Sequence, residues 1–548
     1  MDSLFDVIVI GGGITGVAIA RDASMRGLKV LLIERKDFGS GASGTCMGMM
    51  GGPVGIPNDL EFTKMNAHEV YVLKKIAAPF VEPRPFLSLV LSEDDYEAQK
   101  KQFDIFWQII KPYGEAKPTF LDEPMVKEIE PGFSDSVKGA FLISEYELDV
   151  FRIIIQNLLS ARKYGCVALN YKEVISINIR EGVSNSVTTR DTFTGEFREY
   201  KGKFIINATG AWAPKIANLA GFNDIRMRPT KGTILIADGH ISNIGFQFRG
   251  IDDNFKEVTL HRNSTLMGPT YDDYFEDPDD LTVSNAEIHL ILDSIKEVYP
   301  RVAQERILRA MTGLRPLPYF WGVPPAKVPR PITIIDHTQT EENGFITIIG
   351  GNFTIHRLMA EKLVDLLMKK LQRNKKCFTD KTPLVEWHPS NLEKYHKKYK
   401  IPKAILEPLS KRQPENFEKI LGLTKNNPNL KNLICTCESI MQAEIEYVLK
   451  NEWIRDVDDL RRRTRIGFGP CQGAFCSHKI LFILKRRLPT NSMANVDSLI
   501  NFWERRWRGI HPVIHSAQLS QLDLNLSIFY NYVAPHFAKK LVKEVRGR

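Results

Sequence analysis

Cysteine is scarce in this 548-residue chain. The seven cysteines stand at 46, 166, 377, 435, 437, 471 and 476, an odd number with four bunched near the end. That distribution excludes a disulfide framework and suits a reducing compartment with one thiolate-ligated site. No window reaches 18 uncharged apolar residues, so no membrane-spanning helix is expected. The start, Met1-Asp2-Ser3-Leu4-Phe5-Asp6, is acidic and lacks the basic segment and cleavage site of a secretory signal. The expected location is cytoplasmic, with any membrane contact peripheral at the cytoplasmic face or made through a partner. Glycine (37) and proline (30) are too few for a collagen-like or low-complexity chain, and 43% hydrophobic residues exclude disorder as the main state. No internal repeat is present, and the length suggests three or four domains.

Negative charge is sparse in the C-terminal quarter. The whole chain has 74 Lys and Arg against 65 Asp and Glu, a net of +9, yet residues 401–548 alone hold 24 against 14. The first 400 residues are therefore close to neutral. A nucleic-acid binder would spread such charge or gather it with exposed aromatics on one module, so nucleic acid is not an expected partner.

Among what is present, the first fifty residues are the most informative. Val7-Ile8-Val9-Ile10 is a β-branched run that ends in Gly11-Gly12-Gly13-Ile14-Thr15-Gly16 and passes into the helical pattern Val17–Ala23. A second run, Lys29–Ile33, ends in Glu34, 23 positions after Gly11. Strand, glycine turn, helix, strand and acid in that register describe a dinucleotide site. Gly11 permits the turn, Gly13 lets the backbone approach a pyrophosphate, Gly16 allows close helix–strand packing, and Glu34 accepts from a ribose. The small-residue loop Arg35–Thr45, with Ser40 and Ser43, can wrap a second phosphate and a ribityl chain, which favours FAD over NAD. Two later strands end in similar turns: Phe204–Asn207 before Ala208-Thr209-Gly210-Ala211-Trp212, and Phe345–Ile349 before Gly350-Gly351-Asn352. Together they suggest one cofactor domain assembled from dispersed segments.

The clustered cysteines form the pattern C-x-C-x33-C-x4-C at Cys435, Cys437, Cys471 and Cys476. Four thiolates suffice for one [2Fe–2S] cluster or one zinc ion. Neither pair is C-x-x-C, which weighs towards the cluster; zinc and unmetallated thiols are the alternatives. Gly467-Phe468-Gly469-Pro470 supplies a small, turning backbone before Cys471. A cluster beside a flavin converts two-electron chemistry into one-electron transport. The remaining Cys46, Cys166 and Cys377 read as packing residues. The basic run Leu460-Arg461-Arg462-Arg463-Thr464-Arg465 reads either as a solvated helix face or as a surface that offsets an anionic cluster and docks an acidic electron acceptor. Trp503, Arg505, Arg506, Trp507 and Arg508 read either as a partner-binding face or as a core tryptophan among solvated arginines.

The segments Val7–Gly16, Glu34–Thr45, Ala208–Trp212, Lys231-Gly232-Thr233, Arg306–Ala310 and Gly313–Leu317 resemble the FAD-dependent glycerol-3-phosphate dehydrogenases. With the cysteine module, whose spacing resembles the bacterioferritin-associated-ferredoxin-like [2Fe–2S] domain, the likeness extends end to end to the large subunit of the anaerobic type. It implies an α/β fold: a glutathione-reductase-like, Rossmann-type FAD domain, an α+β substrate domain, and a small helical [2Fe–2S] domain. The expected limits are 1–372 for the oxidoreductase, with FAD parts 1–90, 145–215 and 330–372 and a substrate cap of 91–144 and 216–329. A linker and helical connection (373–429), the cluster domain (430–485) and a basic helical tail (486–548) follow. The implied partners are a small anionic substrate and electron-accepting flavoprotein and iron–sulfur membrane subunits.

The chain departs from that family where substrate binds. The family's His-Ser-Gly-Ala-Arg-Tyr stretch is Gly51-Gly52-Pro53-Val54-Gly55-Ile56, a lysine after the last Gly-Gly is Asn352, and a Thr-Tyr pair is Ile355-His356. Arg315 and Arg330 match two family arginines and are expected to bind the anion and to orient substrate or tune the flavin. His356 is the candidate for taking the hydroxyl proton, against a bland reading as a loop histidine bonded to backbone. Lys231, Arg262 and Arg228 could replace the missing cations. Three activities are compatible with these residues: glycerol 3-phosphate oxidation, oxidation of another small anionic hydroxy or amino acid, and electron relay without a small substrate.

Overall fold

The computed structural model of the chain describes residues 4–52, 59–179, 185–338, 343–387, 391–487 and 496–514, with residues 518–520, 523–524 and 527 beyond. Of the stretch that replaces the family's substrate motif, Pro53–Ile56 lies outside the described residues, as does most of the tail after 514.

Two sheets carry the oxidoreductase part. In the first, the strands run in spatial order Ile332–Asp336, Gly344–Gly350, Phe197–Asn207, Phe5–Ile10, Val30–Ile33 and Val167–Leu169. The central pairings are parallel, with Val7 opposite both Phe204 and Val30. Continuous apolar strands suit this position, because helices cover both faces of a parallel sheet. Val7, Ile8, Val9, Leu31, Leu32, Phe204, Ile205 and Ile206 are all fully buried. Helices Ile14–Met25, Val150–Lys163 and His356–Lys370 pack on one side.

The second sheet is mostly antiparallel and holds ten strands among the described residues, from Met49–Met50 through Ile307–Arg315. One face buries Leu87, Phe246, Val258 and Met267 against helix Asn285–Val298. On its other face Phe86, Phe141 and Ile143 pack against helix Glu93–Ile110, and the remainder looks onto the first sheet's glycine turns. Strands Val81–Val90 and Gly139–Leu148 pair along their whole length in this sheet. It therefore reaches into ranges that the sequence reading gave to the FAD domain.

Residues 373–429 do more than connect. Leu384 and Val385 join the core beside the first sheet, and the Leu384 amide bonds the Ile76 carbonyl (2.7 Å). Helices Leu392–Tyr399, Lys403–Arg412 and Phe417–Asn426 build their own core from Tyr395, Leu406, Leu409, Phe417 and Ile420, which Met441 and Ala443 of the cysteine module complete.

The cysteine module closes on its own core of Ile440, Ile445, Leu460, Ile480, Leu484, Phe502 and Trp503. Its contact with the FAD domain corrects the solvated and docking readings for Arg462 and Arg463, whereas the charge of Arg461 reaches Cys476, in keeping with the reading that the run offsets a cluster. Arg463 reaches Asp37 through two bonds (2.7 and 2.8 Å), and Arg462 joins it at 2.9 Å. The Arg463 side chain is fully buried and Asp37 is 1% exposed. Arg152 pairs with Glu452 (3.0 Å), Tyr171 donates to Asp459 (2.6 Å), and Arg455 pairs with Asp191 (2.9 Å) in the same interface. In the tail, Trp503 enters the core as one reading had it. Arg505 is not simply solvated, since it pairs with Asp456 (2.8 Å) and Asp458, while Arg506 donates to the carbonyls of Gln472 (2.8 Å) and Cys471 (3.3 Å). Much of the module's positive charge is thus met inside the chain.

Candidate active site and cluster site

The dinucleotide turn is built for close approach. Gly11 lies at φ +109°, and a Cβ on it would sit 2.5 Å from the Ala208 carbonyl oxygen. One on Gly16 would sit 1.9 Å from the Gly11 oxygen. Gly13 caps helix Ile14–Met25 without a side-chain bond, and Ser43 Oγ accepts from the Ile14 amide (3.0 Å). The helix N-terminus and a hydroxyl therefore border one space, which suits a pyrophosphate. Glu34 is held by the amides of Gly12 (2.6 Å) and Lys36 (2.8 Å); burial raises its pKa and these two donors oppose that. Ser40 lies on the same loop, where its amide bonds the Asp37 carbonyl (3.2 Å). Gly210, at φ +62°, opens the turn at the end of its strand beside Pro316.

Gly350 and Gly351 tie the two candidate arginines to this cradle. The Gly350 amide bonds Pro316 O (2.9 Å), next to Arg315, and the Gly351 amide bonds Arg330 O (3.3 Å). A Cβ on Gly350 would lie 2.0 Å from Pro331 O, so no larger residue fits. Gly313, two residues before Arg315, abuts Thr45 Oγ1 of the FAD loop, 2.0 Å from where its Cβ would be. The second sheet thus presses directly on the cofactor loop.

Arg315 is immobilised: Nη1 donates to the Lys231 and Thr270 carbonyls and Nη2 to Thr270, all at 3.3 Å, and the guanidinium lies 4.6 Å from the Tyr271 ring centre. Burial lowers its pKa to about 10, so it remains a cation at neutral pH. Two carboxyl groups that the sequence reading missed share this region. Burial pushes Glu257 up to about 7 against the pull of Arg315 and Arg330. Glu145 is pushed up to about 8, by burial first and then by the Glu257 charge. Glu257, Tyr271 and Arg315 are each only partly exposed, and the charges of Glu257 and Arg315 both reach Tyr271. The only available signal was alternation along Phe255–His261, which a single strand does not assign to either face.

The three substitute cations are already engaged: Lys231 by Glu287 (2.7 Å), Arg228 by Asp273 (2.7 Å) and Arg262 by Asp149 (3.8 Å). His356 does not join Arg315 and Arg330. It starts helix His356–Lys370, is 1% exposed, and its Nδ1 donates to the Phe353 carbonyl (2.7 Å). Burial lowers its pKa to about 4.

The cysteines meet two by two. Cys437 and Cys471 are 3.9 Å apart, and the thiols of Cys435 and Cys476 share a hydrogen bond that lowers the Cys435 pKa. Amides of Gly467 and Glu438 also point at the Cys435 sulfur. Among the described residues no three His, Cys, Asp or Glu converge as a ligand group for one metal ion. A tetrahedral zinc would draw all four sulfurs to about 3.8 Å from one another, given a Zn–S distance of about 2.3 Å. Two separate thiolate pairs with amide donors to sulfur fit a binuclear iron–sulfur cluster better. A Cβ on Gly469 would lie 2.4 Å from Cys437 Cβ, so the ligand loop requires glycine there. Cys46, Cys166 and Cys377 form no disulfide.

Both parts of the chain resemble known proteins. Residues 6–366 match the FAD dependent oxidoreductase family and residues 433–486 the BFD-like [2Fe-2S] binding domain. An anaerobic glycerol-3-phosphate dehydrogenase subunit from Escherichia coli K12 is 32% identical over 530 residues, covering 96% of each chain. The corresponding subunit from Haloferax volcanii is 30% identical over 536 residues, 94% of this chain and 89% of its own. In fold, the Bacillus halodurans glycerol-3-phosphate dehydrogenase complexed with FAD superposes with a TM-score of 0.72 at 20% identity, over 94% of this chain and 97% of its own. The cofactors read from the sequence, FAD and a [2Fe–2S] cluster, are those of the two matching families. The chain belongs to the FAD dependent oxidoreductase family, and within it to the group of anaerobic glycerol-3-phosphate dehydrogenase subunits that carry a C-terminal [2Fe–2S] domain.

Proposed function

We propose that this protein oxidises glycerol 3-phosphate to dihydroxyacetone phosphate and passes the electrons through its [2Fe–2S] module to partner subunits and quinone. The observation that carries this reading is that the Gly350–Gly351 turn bonds the backbone of Pro316, next to Arg315, and of Arg330, while Gly313 on the Arg315 strand abuts Thr45 of the cofactor loop. Bound FAD supplies the hydride acceptor. Gly11, Gly13, Gly16, Glu34, Ser40, Ser43, Gly210, Gly350 and Gly351 hold it, and Cys435, Cys437, Cys471 and Cys476 hold the cluster. Arg315, its guanidinium preset by two backbone carbonyls, offers a fixed cation to the substrate's anionic group. Arg330 provides the second. The outer face of the cluster module shows Phe475, 79% exposed inside the ligand loop, and Phe482, 68% exposed on helix Ser477–Arg487, with Lys479 and Lys485 between and beside them. Aromatic and cationic side chains so placed suit an acidic acceptor protein. Among the described residues no helix is long and apolar enough to cross a membrane, which fits a cytoplasmic protein bound peripherally or through its partners.

Anaerobic addition of glycerol 3-phosphate to the purified holoenzyme should bleach the visible flavin band, and failure to bleach it rejects this substrate. A second reading, another small hydroxy or amino acid with one anionic group, is favoured by the engagement of Lys231, Arg228 and Arg262 elsewhere. Bleaching by a member of a hydroxy- and amino-acid panel in place of glycerol 3-phosphate would establish it.

A further inference from the structure

A hydroxyl whose carbon loses hydride must also lose a proton, and the groups that could take it reduce to few. His356 is in the core with its ring bonded to Phe353. His261 bonds Glu147 (3.1 Å), and Glu147 also holds Arg84 (2.5 Å). Lys231 is in an ion pair. On strand Phe255–His261, Lys256 and Val258 face helix Asn285–Val298; Lys256 lies against Gly250 and Ser294, and Val258 is in that core. Glu257 points to the opposite face, as does His261, whose ring touches the position above Gly48 at the end of the cofactor loop. Across the ladder Glu257 stands opposite Gly268, which has no side chain to cover it. On the other flank it stands opposite Gln247, whose amide donates to Ser88 (3.1 Å). Among the described residues no hydrogen bond or ion pair engages the Glu257 carboxylate. The charged and titratable groups whose fields reach it are Arg315, Arg330, Tyr271 and Glu145.

The geometry points to Glu257 as the residue that takes the substrate's hydroxyl proton. The step balances. The O–H bond breaks and its proton passes to a Glu257 carboxylate oxygen, the C–H pair leaves as hydride to FAD, and the carbon becomes a carbonyl. Glu145, whose carboxyl lies against the backbone of Gly51 and Gly52 (2.9 and 2.6 Å from where their Cβ atoms would be), is a second acid that the Glu257 charge reaches. Burial holds Glu257 near neutrality against the pull of Arg315 and Arg330, where a general base is most effective, and the Glu257 charge in turn raises Glu145. Arg315, fixed beside Tyr271, keeps the substrate's anion away from the carboxylates.

This inference rests on the alcohol-oxidation reading above, and its test separates the two. In the anaerobic holoenzyme, the rate of flavin bleaching should rise with pH through about 7, because Glu257 must be ionised to accept the proton. Glu257→Gln should slow bleaching by about 10²- to 10⁴-fold and abolish that rise, with dihydroxyacetone phosphate affinity changed far less. Formate added to Glu257→Ala should restore part of the rate. Independently of turnover, difference infrared titration of the substrate-free holoenzyme should show two buried carboxyls ionising near neutral pH. Glu257→Gln and Glu145→Gln should each remove one. A Glu257→Gln enzyme that bleaches at the parent rate, or a Glu257 band that titrates in the ordinary carboxylate range, overturns the inference. Absence of bleaching by glycerol 3-phosphate in the parent overturns the substrate reading alone; the infrared bands and the panel member that does bleach then judge Glu257.

Discussion

Replacing Asp37 by Asn isolates the contact that joins the cluster module to the flavin domain. Asp37 accepts three bonds from two arginines, at 2.7, 2.8 and 2.9 Å, and only 1% of it is exposed. The substitution keeps the shape and removes the charge. It leaves Arg463, fully buried, with the Trp453 carbonyl at 3.3 Å and Glu452 at 3.9 Å, and Arg462 with Asp459 at 3.7 Å. Breaking one side of a buried pair in this way costs about 3–5 kcal/mol, because the stranded cations keep their desolvation penalty. Tyr171–Asp459, Arg152–Glu452 and Arg455–Asp191 still hold the interface, so the module should loosen without detaching. Denaturant unfolding should show the loss, and hydrogen exchange should speed up first in helix Val457–Thr464. Glu61→Gln, which breaks a pair exposed by 60% and 82%, should cost no more than about 1 kcal/mol. Burial raises the Asp37 pKa, but Arg463 and then Arg462 outweigh it and the net shift is downward. The contribution is therefore complete above the ordinary Asp value of about 4 and fades as pH falls through the lower folded value. An Asp37→Asn protein within about 1 kcal/mol of the parent at pH 7 would refute the claim that this pair anchors the module.

Gly16→Ala would place a methyl 1.9 Å from the Gly11 carbonyl oxygen, and the purified protein should lack the flavin band while keeping cluster absorption. Cys471→Ser should remove the cluster absorption and leave substrate bleaching of the flavin intact; loss of flavin along with the cluster would contradict separate sites. Burial holds His356 at about 4 in the folded state against about 6.5 unfolded. Between those values the unfolded chain binds the extra proton, so stability drops as the pH is lowered, by up to about 3 kcal/mol from this group. His356→Gln should remove that part of the acid loss in urea unfolding compared at pH 7 and pH 4.5, and should leave the pH dependence of flavin bleaching unchanged.

The parts legible in the sequence are those encoded in short windows. The turn from Gly11 to Gly16 and the acid at Glu34 are confined to one βαβ unit, and each glycine is required by a backbone atom close by. The four cysteines are likewise read from spacing, C-x-C on one segment and C-x4-C on another, although the thiols meet across the two segments, Cys437 with Cys471 and Cys435 with Cys476. Of the two readings of His356, the structure shows the histidine bonded to backbone. It is the first residue of its helix, so a shift of one position decides whether the ring faces the cofactor or the core, and its amide and ring both turn back to Phe353. Domain limits were blurred because strands Val81–Val90 and Gly139–Leu148 join the second sheet by pairing with each other, which neither strand shows alone.

The sequence by itself determined the dinucleotide site, the four-cysteine site, the order of the modules and the location of the positive charge, because local backbone geometry and ligand chemistry depend on neighbours in the chain. Only the tertiary structure decided what that charge meets and which acids face Arg315. Asp37 and Arg463 stand 426 positions apart, and the charge of Glu257 reaches Glu145 although they lie on strands that do not pair with each other. Burial and pairing set the energy of a charge, and both are properties of distances that the folded chain alone defines.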